Sequence, residues 1–152
     1  MSTTPAMRLA RELMSRAPYT FRPTDTVTEA AGRLVRQHHS GAPVVAEDGT
    51  FLGILSEVDL IRALEPLAEG CVPEQLVEEI MSTDVLWIPP DATVFDLIAF
   101  FDQYAYRRAP VLEDGVLIGL VSRHDVLAAL SGVARECTIA RKDGQSPVPQ
   151  RR

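Results

Sequence analysis

Cysteine and aromatic residues are scarce in this chain of 152 residues. It has two cysteines and one tryptophan, and aromatic residues make up 6% of the sequence. Cys71 and Cys137 do not form a C-x-x-C pair, and two thiols are too few for a disulfide framework. We therefore expect two reduced thiols, as is usual in cytosolic proteins.

Long apolar runs are also missing. No stretch approaches the roughly 20 consecutive apolar residues that a membrane helix needs. The segment from Met1 to Ala17 lacks the apolar centre of a signal peptide and is interpreted as a short amphipathic helix. The sequence therefore predicts a cytoplasmic protein with no membrane partner.

The chain has no excess of basic residues. Fifteen lysines and arginines face 21 acidic residues, which gives a net charge of −6. This balance disfavours a nucleic-acid partner, because a basic surface supplies most of the affinity in such complexes. It leaves room for a small anion in a local basic pocket.

The clearest positive signal is an internal repeat of long period, which predicts one structural unit used twice. The offset between the copies is 67 residues, as from Leu13 to Ile80, and falls to 66 after a turn. One residue near Ala46 is therefore extra in the first copy. The recurring motifs are Leu13-Met14-Ser15 with Ile80-Met81-Ser82, Ala42-Pro43-Val44 with Ala109-Pro110-Val111, and G-x-x-S-x-x-D at Gly53, Ser56, Asp59 and at Gly119, Ser122, Asp125.

Each copy has the pattern β-α-β-β-α behind a lead-in helix, which predicts an α/β (α+β) fold. Apolar residues at helical spacing predict helices that begin near Val27 and Val94. Asp-Gly between two apolar runs predicts a hairpin in each copy. We expect a first motif at residues 6–64, a linker at 65–75, a second motif at 76–131 and a mostly irregular extension at 132–152. Short strands are expected at 19–21 and 85–88, and a lead-in helix at 6–15.

Catalytic arrangements are missing from the sequence. Ser122, His124 and Asp125 lie within one helical turn and cannot face each other as a triad does. His38 and His39 are adjacent and lack the i, i+4 spacing of helical zinc ligands. There is no G-x-G-x-x-G motif and no P-loop, so we predict neither an enzyme nor a metal site.

The order and duplication of these motifs resemble the CBS domain, named for cystathionine β-synthase, over roughly residues 8–131. The resemblance implies a tandem pair, or Bateman module, packed sheet to sheet about a pseudo-twofold axis and dimerising into a disc. It also implies an adenosyl ligand, such as AMP, ADP or ATP, in a cleft between the motifs. Such modules regulate an enzyme, channel or transporter, so the resemblance implies a client protein.

The resemblance places the ribose on an aspartate, here Asp125, or Asp59 in the first copy. Ser122 at a helix start could donate to phosphate or ribose, and Gly119 would let the backbone approach the ligand. In nucleotide-binding members a basic pair before the Pro-Val strand reaches the phosphates, and Arg107 and Arg108 match it. Arg123 and His124 add to this basic character. Ser-x-x-Asp is also close to a capping box, which starts a helix without any ligand.

The first copy predicts a weaker site at Gly53, Ser56, Asp59 and Ser40. Glu57 would oppose a polyphosphate there, so this site would hold a nucleoside or be empty. The candidate wall for adenine consists of six residues from both copies: Tyr19, Thr20, His39, Leu86, Trp87 and Tyr106.

The sequence thus predicts a homodimeric regulatory module that senses AMP or ATP, with or without Mg²⁺, mainly at the second-copy site. Two alternatives stay open. One is a structural module whose Ser-x-x-Asp segments only cap helices. The other is a binder of a different adenosyl ligand, S-adenosylmethionine or a dinucleotide, although a cationic sulfonium is a poor neighbour for Arg107 and Arg108.

Overall fold

The computed structural model describes residues 8–136, and they form a mixed α/β fold with two small antiparallel sheets. The tail predicted to be irregular from Ala140 lies outside these residues. A 3-10 helix, Glu65–Glu69, follows the first copy. The other elements are α1 Ala10–Leu13, α2 Val27–Gln37, β1 Gly41–Val45, β2 Phe51–Ser56, α3 Glu57–Leu64, α4 Val77–Ile80, α5 Val94–Gln103, β3 Arg108–Glu113, β4 Val116–Ser122 and α6 Arg123–Glu136.

The first long helix of each copy starts at the predicted residue, Val27 or Val94, behind a threonine cap. The hydroxyl of Thr26 accepts a hydrogen bond from the backbone N–H of Glu29 at 3.2 Å. Thr93 does the same for Asp96 at 3.2 Å, and the Asp96 carboxylate accepts in return from the Thr93 N–H at 2.8 Å. These bonds satisfy N–H groups that have no partner within the helix.

Both hairpins form, and the Asp-Gly turns differ by one residue. Strands β3 and β4 are joined through Asp114 and Gly115, whose φ values are 51° and 77°, as a two-residue turn with left-handed backbone requires. In the first copy the N–H of Ala46 reaches the carbonyl of Thr50 at 2.9 Å, which leaves a three-residue turn. The extra residue predicted near Ala46 is accommodated there.

The two short leading strands are reduced to single bridges. Phe21 pairs in parallel with Val44, and Ile88 pairs in parallel with Val111. The predicted strands at 19–21 and 85–88 are therefore too long. Proline limits them, since Pro23 and Pro89 follow closely and have no N–H for a ladder.

Each lead-in helix packs on the opposite copy. Of the helix predicted at 6–15, the described residues from 8 onward form the single turn α1, and its Ala10 is fully buried in the core of the second copy with Leu97 and Val111. Val77 of α4 is fully buried in the first-copy core with Leu34 and Val44. The two motifs are therefore interlocked through their lead-in segments.

The residues after each lead-in helix add a bridge to the other copy's hairpin. The N–H of Ser15 donates to the carbonyl of Leu120 at 2.8 Å, and the N–H of Leu120 donates back at 3.1 Å. Ser82 and Ile54 exchange the equivalent bonds at 2.9 Å. The Met-Ser pair of one repeat is thus an extra sheet partner for the Gly-x-x-Ser strand of the other.

The two turns also meet across the seam. The N–H of Phe51 donates to the carbonyl of Gly115 at 2.9 Å, and the N–H of Leu117 donates to that of Gly49 at 3.1 Å. This reciprocal pairing places the two hairpins about a pseudo-twofold axis. Among residues 8–136 no helix is long and apolar enough to cross a membrane.

Candidate functional site

A cleft of about 270 Å³ opens between the two copies. The first copy supplies one wall and the second copy supplies the other, including the start of α6. Such seams between packed units are frequent ligand sites. Its lining residues are Ser15, Pro18, Tyr19, His39, Gly41, Arg108, Leu120, Ser122 and Asp125.

Asp125 is held at the cleft by a capping box at the start of α6. Its Oδ2 accepts from the backbone N–H of Ser122 at 2.8 Å, and its own N–H donates to the Ser122 hydroxyl at 3.1 Å. Neither its Oδ1 nor the Ser122 hydroxyl proton takes part in a hydrogen bond among the described residues. The capping role is therefore real, and it leaves polar atoms on the cleft wall.

The first-copy capping box is more tightly closed. Oδ2 of Asp59 accepts from the N–H of Ser56 at 2.9 Å and from its hydroxyl at 2.8 Å. The N–H of Asp59 donates back to that hydroxyl at 3.2 Å. The Ser56 hydroxyl proton is used inside the cap, which makes this site a weaker hydrogen-bond donor than its counterpart.

Two aromatic rings form the first-copy wall of the cleft. Tyr19 and His39 stack with ring centroids 5.7 Å apart and an interplanar angle of 21°. Arg33 fixes the position of Tyr19, because its Nε donates to the phenol oxygen at 2.7 Å. The same guanidinium pairs with Asp25 at 2.9 Å. These two contacts hold the Tyr19 ring of the stack in place.

The pKa of Arg33 reflects this network. Burial by itself would lower it, but hydrogen bonds and charge interactions with Tyr19 and Asp25 outweigh burial and raise it above its ordinary value. The guanidinium therefore stays charged over the whole accessible pH range.

The predicted basic residues separate into two groups. Arg108 lines the cleft, opposite the Tyr19 and His39 stack. Arg107, Arg123 and His124 are exposed and do not line it. They lie beside its rim, because the N–H of Arg123 donates to the carbonyl of Arg107 at 3.1 Å.

The glycines of the two G-x-x-S-x-x-D motifs lie against protein atoms of the opposite lead-in segment and not against an open cavity. A Cβ at Gly119 would lie 2.5 Å from Met14 Sδ and 2.9 Å from the carbonyl oxygen of Ser15. A Cβ at Gly53 would collide with the carbonyl oxygen of Ser82. The close neighbour expected to be a ligand is thus the exchanged lead-in segment.

The remaining candidates lie apart from the described cleft. Leu86 and Trp87 are exposed, and Tyr106 stacks on Phe100 with centroids 5.5 Å apart. The carbonyl of Thr20 accepts from Arg33 at 3.4 Å, and that of Ser40 accepts from the Glu57 N–H at 3.0 Å. Only Tyr19 and His39 of the six predicted wall residues line this cleft.

Four lining residues were missed from the sequence: Ser15, Pro18, Gly41 and Leu120. The repeated Met-Ser motif was a signal for Ser15, but its partner strand could not be assigned. Gly41 is the first-copy equivalent of Arg108, and a Cβ there would lie 2.8 Å from the carbonyl of Leu55. A bulky side chain at that point would alter the hairpin and the cleft together.

The CBS domain family model matches residues 10–66 and 77–132. The chain belongs to this family and contains a tandem pair of CBS domains. It is 32% identical over 120 residues to the CBS domain-containing protein YhcV of Bacillus subtilis, covering 79% of this chain and 84% of YhcV. Other curated relatives are longer, and the matched stretch spans 14% of one and 42% of another.

Two solved structures extend the comparison. CBSX2 in complex with AMP is 25% identical, with a TM-score of 0.71 over 84% of this chain and 98% of CBSX2. The CBS domain pair of protein MJ0100, in complex with 5-methylthioadenosine and S-adenosyl-L-methionine, is 25% identical. Its TM-score is 0.65, over 83% of this chain and 98% of that pair.

Proposed function

We propose that the chain is a regulatory module that binds an adenine nucleotide in the cleft beside Asp125. The observation that carries the proposal is the convergence of Asp125, Arg108 and the Tyr19 and His39 stack, from both copies, in one cavity. A carboxylate, a guanidinium and an aromatic surface complement a ribose, a phosphate and a base respectively. The AMP complex of CBSX2 supports this choice of ligand.

The chemistry assigns a role to each wall. Oδ1 of Asp125 would accept from the ribose hydroxyls while Oδ2 stays in the cap. Arg108 would pair with the phosphate nearest the ribose, since its planar fork matches phosphate oxygens. Further phosphates of ADP or ATP, with or without Mg²⁺, would extend toward Arg107, Arg123 and His124 on the rim.

The first-copy motif would bind less well. Glu57 adds a negative charge beside Ser56, where the second copy has Arg123 beside Ser122. This charge opposes a phosphate. We therefore propose that this second site holds a nucleoside at most.

A homodimer and a client protein complete the proposal. Val58 and Ile61 on α3 are 52% and 69% exposed, and Leu127 on α6 is 64% exposed. Leu60 and Ala63 are the buried residues of α3. Apolar helix faces of this kind fit a second copy of the chain, and nucleotide binding would shift the arrangement that a client recognises.

Two other functions have specific support. The complete capping boxes at Ser56 and Ser122 are what a purely structural module would need. The MJ0100 complex favours S-adenosyl-L-methionine. The cation of Arg108 in the cleft opposes a sulfonium ligand.

Thermal unfolding with AMP, ADP, ATP or S-adenosylmethionine, each near millimolar, tests these functions. A ligand at 100 times its Kd adds about 2.7 kcal/mol to stability, or roughly 5–10 °C for a chain of this size. Asp125→Ala should abolish the shift. Asp59→Ala is the matched control, because it breaks the equivalent cap in the other copy and should keep the shift.

Each outcome selects one function. A shift with AMP or ATP that survives Asp59→Ala but not Asp125→Ala supports the nucleotide sensor. A shift with S-adenosylmethionine alone overturns the choice of ligand. If no ligand shifts the Tm and both variants are only less stable, the result supports a purely structural module.

A further inference from the structure

A second cavity lies on the outer face of the second copy, away from the nucleotide cleft. It is a shallow groove of about 470 Å³ along α5. Its floor is apolar and aromatic, and its rim carries two carboxylates and an amide. The lining residues are Ile88, Pro89, Asp91, Ala92, Asp96, Ala99, Phe100, Gln103 and Tyr104.

The aromatic floor is a connected cluster. Phe100 contacts Tyr104 with centroids 5.2 Å apart and stacks with Tyr106 at 5.5 Å, and the two tyrosine centroids are 6.4 Å apart. The rim is negative, because Asp91 and Asp96 line the groove without a lysine or arginine among the lining residues. Aromatic faces beside carboxylates favour a cationic occupant, above all a guanidinium.

The first copy shows what closes the equivalent face. At the position of Phe100 it has Arg33, whose guanidinium lies 4.9 Å from the ring centroid of Phe21 and pairs with Asp25. The chain thus fills that face with its own arginine, on an aromatic ring and beside a carboxylate. In the second copy the repeat supplies no such arginine.

The C-terminal segment has the complementary chemistry. Residues 137–152 hold four basic residues and one acidic residue, and they end in Ser146-Pro147-Val148-Pro149-Gln150-Arg151-Arg152. Closely spaced prolines favour the extended polyproline conformation that docks in aromatic grooves. The two terminal arginines match the negative rim.

Helix α6, which precedes this segment, packs near the groove. It contacts both α5 and α1, and the N–H of Ala10 in α1 donates to the carbonyl of Ala92, a groove residue next to Asp91. The eleven residues from Glu136 to Pro147 span up to about 35 Å.

We propose that the groove on α5 is the docking site for the chain's own C-terminal residues 146–152. The prolines lie on Phe100 and Tyr104, and the terminal arginines lie beside Asp91 and Asp96. This site is separate from the nucleotide cleft and does not depend on its ligand.

The test uses the full chain and the single tryptophan, Trp87, which is next to the groove residue Ile88 and 52% exposed. A variant with Arg151→Glu, Arg152→Glu, Pro147→Ala and Pro149→Ala disables the tail and leaves the described residues unchanged. A synthetic peptide with the sequence of residues 146–152 is titrated into it, and Trp87 fluorescence is followed. Saturable binding is expected, and it weakens at high salt.

Charge reversal identifies the groove. Asp91→Lys should weaken the peptide about three- to tenfold, because an exposed pair is lost and repulsion replaces it. Asp102→Lys is the matched control, since Asp102 is exposed on the same helix but does not line the groove. A peptide with both arginines changed to glutamate repeats the test on unaltered protein, whether or not Asp91→Lys folds well.

Competition identifies the occupant. The chain with its natural tail should need a higher peptide concentration for half-saturation than the disabled variant, because its own tail is tethered nearby and competes. The ratio of the two concentrations should be the same at all protein concentrations. Competition that grows with protein concentration would assign the groove to a second copy and overturn the proposal. Equal titration of both chains, or no saturable binding, would also overturn it.

Discussion

The interlocking of the two copies makes a quantitative prediction at Gly119. A Cβ there would lie 2.5 Å from Met14 Sδ, 2.8 Å from Met14 Cγ and 2.9 Å from the carbonyl of Ser15. The methionine side chain can move, but the carbonyl is fixed by two hydrogen bonds between Ser15 and Leu120. Gly119→Ala therefore has to displace the lead-in backbone.

The expected cost follows from these contacts. Overpacking of a tight site costs about 1–3 kcal/mol. Weakening two backbone hydrogen bonds adds up to about 1 kcal/mol each. We expect Gly119→Ala to lower the free energy of unfolding by about 2–4 kcal/mol, or the Tm by roughly 5–15 °C.

Urea unfolding of Gly119→Ala, Gly53→Ala and Gly132→Ala provides the measurement. Gly53→Ala should be at least as damaging, because its Cβ meets the carbonyl of Ser82. Gly132→Ala has no neighbour within 4 Å in α6 and should gain up to about 1 kcal/mol from helix propensity. If Gly119→Ala unfolds within about 0.5 kcal/mol of the natural chain, a typical neutral surface effect, the exchanged segment is not tightly packed and the reasoning fails.

Three further predictions concern other contacts. Arg33→Met should lower the free energy of unfolding by about 1–2 kcal/mol in urea, because it removes charged hydrogen bonds to Tyr19 and Asp25, whereas the exposed Arg36→Met should not. If the chain forms the proposed homodimer through the apolar face of α3, Ile61→Glu should shift sedimentation toward the monomer by placing a charge on that face, and an unchanged dimer would contradict that interface. The bonds from the N–H and hydroxyl of Thr93 lower the pKa of Asp96, so its stabilisation is complete above its unfolded pKa and is lost as pH falls through the lower folded value. Asp96→Asn should flatten the acid limb of stability against pH below roughly pH 5.

Local features of the fold could be predicted because local sequence determines them. Thr26 and Thr93 cap helices wherever they stand, and Asp114-Gly115 adopts a left-handed turn by its own conformational preferences. The predicted length of the leading strands was too great, because the apolar pattern of a segment does not show how many backbone hydrogen bonds the neighbouring strand can form with it. Phe21 and Ile88 have one bridge each.

The exchange of lead-in segments could not be predicted, because the two hairpins have nearly the same sequence pattern and either could bind a given lead-in segment. Leu13-Met14-Ser15 has the pattern needed to pack on either hairpin. Geometry decides, since a bridge from Ser15 to Leu120 puts α1 against the second-copy core. Pro18 and Tyr19 are then carried directly into the cleft.

The lining of the candidate cleft could be predicted in part from shared positions, Ser122 and Asp125, and in part where the copies differ, at Arg108. Positions that both copies share, such as Ser56 and Ser122 or Gly53 and Gly119, serve the fold, as helix caps and as contacts for the exchanged segments. A position that differs between the copies is not required by the fold that they share. Arg108 stands where the first copy has Gly41, and it is this side chain that gives the cleft its cation.

The same argument applies to Phe100, which stands where the first copy has Arg33. In the first copy that arginine closes the outer face and holds Tyr19 in the cleft beside Asp125. In the second copy its loss opens a groove and removes the equivalent support for Leu86, which is 40% exposed. This difference between the repeats adds to the inequality of the two copies, and Asp91 and Asp96 make the surface beside Phe100 acidic.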